Sequence, residues 1–397
     1  MKIFTSVFFL FVFTIVKGQW FDNLSIGIVD KIYSKTLNEE RTLWVYNPAQ
    51  NNRTNLQHYP VLYLLDGEAH FFATVGMIKE MSGVWGDVIV VGITNSDRNR
   101  DLTPANNNSK GGENFMNFIK EELIPHIDST YPTAPYRIFS GHSLGGLTVI
   151  NTLLKDTRLF NAYIAIDPSL WWENKKLVQQ AKKDFAKNKY QNVSLFIARA
   201  NDMPIGMDTL AVLKDSSINT VLYRSVREFV NILKLKKSSG LRWASKFYPT
   251  EVHETIPLNG QYDALKFLFD INQFKSNLLQ IDPEKYSKSA SNIDSLFVRH
   301  FKKVSQRMGY TVVPPKDLVN QLGYSCLNLK KWSEAEFFFK LNIYNYPQDA
   351  NVYDSMGDFY EAKGDVKKAI GNFTKALTLG NDAETRRKLD NLKTKKP

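Results

Sequence analysis

Tyr136-Arg137-Ile138-Phe139-Ser140-Gly141-His142-Ser143-Leu144-Gly145-Gly146 is the stretch that decides the reading of this chain. A short apolar strand leads into a very sharp turn, and a helix is predicted over Leu147–Leu154. Gly141, Ser143 and Gly145 fit the spacing G-x-S-x-G. In a nucleophile elbow of this kind the serine is held in a strained conformation that lifts its hydroxyl above a sheet. A Cβ at the flanking glycines would collide with the neighbouring strand or helix. The helix begins directly behind Ser143, so its free N–H groups and positive dipole end favour an oxyanion formed there. The motif alone also fits a plain glycine-rich strand-to-helix turn. The apolar strand before it, the small-residue helix after it and the extra glycine at Gly146 make Ser143 a candidate nucleophile.

Working outward, continuous apolar runs at Pro60–Leu65, Val88–Ile93, Ala162–Ile166 and Val193–Ala198 read as strands buried on both faces. Ile26–Tyr33 and Thr42–Tyr46 precede them as further strands. Helical spacing appears at Gly112–Ile127, Lys175–Asn188, Asp215–Lys237 and Tyr262–Phe269. Strands alternating with helices imply an α/β fold with a mostly parallel central sheet.

A serine hydroxyl needs a base, and the base needs an acid to orient it. In α/β-hydrolases these follow in the order serine, acid, histidine. Of the histidines, only His253 and His300 follow the elbow, and His253 lies just after a short strand; His142, next to the serine, should point away. The acid is expected just past the strand before the histidine. Asp202 is the first choice there and Asp208 the second. Two backbone N–H groups must form the oxyanion hole. Leu144 follows the serine, and Gly67 or Glu68 follows the Val61–Leu65 strand, although Asp66-Gly67 also reads as a simple turn.

The chain begins Met1-Lys2, followed by about fourteen apolar or small residues and then Lys17-Gly18. That run is shorter than the ~20 residues of a membrane span, so residues 1–18 are expected to be a secretory signal. The protein is therefore expected to be exported, periplasmic or secreted, with no stable membrane span. Its single cysteine, Cys326, cannot form an internal disulfide and is expected in the core. The net charge of +11 is dispersed over solvated faces. No basic–aromatic nucleic-acid module is visible, so nucleic acid is not an expected partner.

Residues 276–315 are polar with a helical middle and end at Pro314-Pro315. Beyond them the pattern is purely helical. Leu322-Gly323 recurs as Met356-Gly357, Ala335 as Ala369 and Phe339 as Phe373, which is the 34-residue tetratricopeptide period for two repeats. The expected organisation is a signal at 1–18, an α/β domain at 19–275, a helical linker at 276–315 and a small all-α tetratricopeptide-like region at 316–397. Two repeats fall short of the three or so usually needed. They are expected to pack against residues 285–312, where Phe297, Phe301 and Val304 form an apolar stripe, or against the preceding α/β domain, or to be completed by a protein partner of the 316–397 region.

Tyr59–Gly67, Arg100–Pro104, Glu122–Pro125, Gly141–Gly146, Pro168–Trp172 and Glu251–Leu258 together resemble the putative-esterase family of α/β-hydrolases. That family includes ferric-siderophore (enterochelin), feruloyl and acetylxylan esterases. The resemblance implies hydrolysis of a carboxylic ester through an acyl-serine, with Ser143 as nucleophile, His253 as base and Glu68 lending an oxyanion N–H. It implies no cofactor and no metal. It does not fix the acid or the acyl group, so the expected substrate is a siderophore or a polysaccharide-linked acetyl or feruloyl ester. A scaffold protein that keeps a degenerate hydrolase fold and works through its helices is the alternative.

Overall fold

A computed structural model describes residues 25–49, 57–104, 109–185, 190–235, 240–274 and 292–394. The expected signal at 1–18 and the domain boundary at residue 275 lie outside the described residues. Among the described residues eight strands form one sheet: β1 Ile28–Ser34, β2 Glu39–Tyr46, β3 Tyr59–Leu65, β4 Ile89–Ile93, β5 Thr133–His142, β6 Ala162–Ile166, β7 Ser194–Arg199 and β8 Arg242–Phe247. Their order is β1-β2-β4-β3-β5-β6-β7-β8. The β1–β2 and β2–β4 pairs are antiparallel, and every later pair is parallel.

Parallel strands need crossovers, and helices supply them on both faces. They are α1 Gly67–Trp85, α2 Arg98–Leu102, α3 Gly111–Phe118, α4 Ile124–Thr130, α5 Leu144–Lys155, α6 Trp172–Asp184, α7 Ala211–Lys214, α8 Val221–Leu235 and α9 Ile256–Phe269. The single helix expected at Gly112–Ile127 is α3 and α4 joined by a π-helical turn at Ile119–Leu123. Alternation along β3 divides the core. Val61, Tyr63 and Leu65 face one cluster with Phe115, Leu147 and Phe229. Leu62 and Leu64 face the other with Phe71, Trp85 and Phe269.

Six further helices follow among the described residues: α10 Ile293–Met308, α11 Lys316–Asn328, α12 Trp332–Asn345, α13 Ala350–Ala362, α14 Val366–Leu379 and α15 Ala383–Thr394. A Cβ on Gly323 would lie 2.7 Å from the Phe339 ring, and one on Gly357 would lie 2.4 Å from the Phe373 ring. The same close helix crossing therefore occurs 34 residues apart. Phe297, Phe301 and Val304 of α10 are buried in the cluster that also holds Trp85 and Phe269 of the sheet-bearing part. The helices thus share a core with it. Cys326 is fully buried there, and burial pushes its thiol up to about 12.

No helix of the described residues is long and apolar enough to cross a membrane.

Candidate active site

The register aligns Leu64 with Ser140, His142 with Ile166, Ile166 with Ala198, and Arg199 with Phe247. The loops after β3, β5, β6, β7 and β8 therefore emerge along one edge of the sheet. In open α/β sheets that edge, at the strands' carboxyl ends, is where ligands bind.

Ser143 occupies the turn between β5 and α5 with φ 59° and ψ −117°, a conformation that costs a non-glycine residue about 1–3 kcal/mol. The turn closes because its flanks are small: a Cβ on Gly141 would lie 2.5 Å from the Gly145 backbone, and one on Gly146 would lie 2.9 Å from Pro168. Ser143 N–H donates to the Ile166 carbonyl, and its own carbonyl accepts the Ser169 N–H, both at 3.0 Å. The turn is thereby tied to the loop after β6.

His253 lies in the turn between β8 and α9, and its Nε2 is 2.9 Å from Ser143 Oγ. Its Nδ1 is 2.6 Å from Asp167 Oδ2. A carboxylate only accepts, so Nδ1 carries the proton and Nε2 is left to accept from the serine hydroxyl. The contact expected of Asp202 therefore falls to Asp167. Asp202 stands 4.0 Å from Nδ1 and instead accepts the His253 backbone N–H at 2.8 Å. Asp208 accepts the N–H groups of Leu210 and Ala211 and starts α7.

Asp167 reaches the imidazole because its backbone turns to φ 41° at the end of β6. Its N–H donates to the Ala198 carbonyl at 2.9 Å, and its Oδ1 accepts the Ala200 N–H at 3.0 Å. The sequence carried one usable signal: Asp167 follows an apolar strand and lies between the serine and the histidine in chain order. Asp202 satisfies the same criteria, and the sequence carries no sign of the backbone turn that sends Asp167 to the imidazole.

Burial alone would depress the His253 imidazole. The hydrogen bond and charge of Asp167, with Asp202 behind them, outweigh it and hold the ring above the ordinary histidine value. His142 does not point away as expected. Its ring packs 4.5 Å from that of His253, and burial, then His253 and His70, push it down to about 4. It lines a cavity of about 270 Å³ with His70, Ser140 and Gln261.

Leu144 is the first residue of α5 and Gly67 the first of α1, so the N–H groups of Leu144, Gly67 and Glu68 have no carbonyl four residues back. Asp66, at φ 53°, turns the chain into α1. Arg98 Nε and Asn95 Nδ2 donate to its carboxylate at 2.6 and 2.8 Å. Glu68 accepts a second bond from Asn95 Nδ2 at 2.7 Å. A Cβ on Gly145 would lie 3.4 Å from Asp66 Oδ2, so this clamped turn stands against the start of α5. Arg100 does not face the site: it binds Asp101 at 2.7 Å and Glu39 at 2.7 Å. Phe71 is core, whereas Phe72 and Trp171 are exposed.

Asp167, Asp202 and His253 each offer an atom to a metal-sized site. Both ring nitrogens of His253 are already engaged, however, and an ion there would displace the Asp167 or the Ser143 contact. The arrangement can move a proton from Ser143 to Nε2 and stabilise the resulting imidazolium.

Residues 34–209 match the model of the esterase family described as putative esterase. Ferri-bacillibactin esterase of Bacillus subtilis (strain 168) is 30% identical over 250 residues, which span 52% of this chain and 86% of that protein. A solved IroE-like serine hydrolase from Shewanella oneidensis is 26% identical with a TM-score of 0.64, covering 80% of this chain and 99% of that one. An uncharacterised protein of Capnocytophaga ochracea DSM 7271 shares the fold over 92% of this chain and 99% of its own, at TM-score 0.58 and 19% identity. With an α/β-hydrolase fold and these relatives, the chain belongs to the putative esterase family.

Proposed function

We propose that this protein is an exported serine esterase that hydrolyses the ester bonds of a siderophore. The observation that carries the reading is the continuous relay Ser143 Oγ–His253 Nε2 at 2.9 Å and His253 Nδ1–Asp167 at 2.6 Å, with the serine at positive φ. Ser143 Oγ attacks the ester carbonyl while Nε2 takes its proton, and Asp167 stabilises the imidazolium. The N–H groups of Leu144 and of Gly67 or Glu68 receive the oxyanion. Collapse breaks the ester C–O bond, and Nε2 returns the proton to the leaving alcohol. Water then repeats the sequence on the acyl-serine and releases the acid.

The ferri-bacillibactin esterase relative supports a siderophore over a polysaccharide-linked acetyl or feruloyl ester. The apolar run at the start of the chain supports export. The intact relay argues against a scaffold with a degenerate site. The test is hydrolysis of ferri-bacillibactin, acetylated xylan and p-nitrophenyl acetate by the purified protein, followed by mass spectrometry and absorbance. Ferri-bacillibactin should be cleaved with the highest kcat/KM. Cleavage of the short ester without the siderophore would move the protein to another ester class, and cleavage of none would favour the scaffold.

A further inference from the structure

Asp202 is not a member of the relay, yet it touches two of its parts. Its Oδ1 accepts the His253 backbone N–H at 2.8 Å, and its Oδ2 lies 4.0 Å from His253 Nδ1. One oxygen of its carboxyl group lies within 4.8 Å of one from Asp167. Two charged carboxylates this close repel, and they can share a hydrogen bond only when one of them is protonated.

The surroundings decide which one. Asp167 is almost wholly buried, and both of its oxygens already act as acceptors, Oδ1 for Ala200 N–H and Oδ2 for His253 Nδ1–H. Asp202 accepts a single backbone N–H and is partly open to water. Burial, and then the Asp167 carboxylate beside it, push Asp202 up to about 7. The other charged or titratable neighbours are His253, Glu254 after it, the neutral His142 ring against His253, and Arg199 of β7, whose charge Asp167 feels.

We propose that Asp202 is a positioning residue, whose protonated carboxyl donates to Asp167 while its other oxygen holds the His253 backbone. In that state one net negative charge faces the imidazole. As pH rises the proton leaves to solvent and a second negative charge appears beside Nδ1, which makes His253 a stronger base. The two groups then titrate together, and the acidic limb of activity belongs to the pair rather than to histidine alone.

This inference rests on the Ser143–His253–Asp167 reading. The test is the pH profile of kcat/KM for p-nitrophenyl acetate in the full chain with Asp202→Asn. The amide keeps an oxygen for the His253 N–H and offers an N–H to Asp167, as the protonated acid does. We expect kcat at pH 6 within about threefold of wild type, and a limb that changes from a two-group to a one-proton rise. Asp202→Ala strands the His253 N–H and should lower kcat about tenfold with little change in KM. Asp202→Asn that keeps the two-group limb, or loses a thousandfold while Asp167→Asn is also inactive, overturns the proton-sharing role. If Asp167→Asn stays active and Asp202→Asn is dead, Asp202 is the acid, and the relay reading itself fails.

Discussion

At Ser143 and Asp167 the backbone is held at φ 59° and 41°, whereas Gly323 and Gly357 lie inside regular helices and serve only to let an aromatic ring approach. The carboxyl edge of the sheet stores strain and buries charge. The helical end of the chain repeats one unstrained crossing. The contrast teaches where substitution should cost activity and where it should cost only stability.

The strongest way to break that contrast is at Ser143. Ser143→Ala should lower kcat by about 10⁶ in a p-nitrophenyl ester assay while the fold persists. Ser143→Gly should be equally inactive and more stable by about 1 kcal/mol in urea unfolding, since glycine adopts φ 59° without a Cβ penalty. An inactive but destabilised Ser143→Gly protein would show that the turn is not strained.

Asp167→Asn should cost about 10⁴ in kcat, because the amide presents the wrong group to Nδ1 and upsets the tautomer. Turnover within tenfold of wild type would remove Asp167 from the relay.

A smaller effect follows from the shifted imidazole. The proposed mechanism needs His253 neutral, and its folded value lies above the ordinary histidine value of about 6.5. Activity should therefore fall as pH drops through the range in which His253 and Asp202 titrate together, with the midpoint above 6.5 rather than at it. A midpoint at or below 6.5 would mean that the Asp167 and Asp202 carboxyls together do not outweigh burial.

Most of the sheet was legible because buried parallel strands are continuous apolar runs, as in Pro60–Leu65 and Val193–Ala198. That Ser143 and His253 meet was legible because a glycine-flanked serine and chain order constrain them. Asp167 and Asp202 both follow apolar strands, and the backbone turn at φ 41° that sends Asp167 to the imidazole is something no periodicity encodes. The Asn95–Arg98 clamp on Asp66 joins residues that are remote in sequence and carry no motif. α1 was not anticipated, and α9 begins at Ile256 rather than Tyr262 because Pro257 lies in its first turn.

The gentlest test lies at the other end of the chain. Gly357→Ala places a methyl group 2.4 Å from the Phe373 ring, well inside van der Waals contact. Phe373 is fully buried, so it yields only by pushing α13 and α14 apart. Overpacking of this kind costs about 1–3 kcal/mol, offset in part by alanine's better helix propensity, about 1 kcal/mol. The helical end should lose stability in thermal melts, while kcat and KM for p-nitrophenyl acetate at 25 °C stay unchanged, since Phe373 packs in a cluster with Ala369, Leu389 and Leu392 that excludes the sheet. Gly323→Ala probes the coupling more directly, because Phe339 belongs to the same buried cluster as Trp85 and Phe269. If Gly323→Ala lowers kcat where Gly357→Ala does not, packing at the helical end reaches the site through α1 and α9, and the two regions are one mechanical unit.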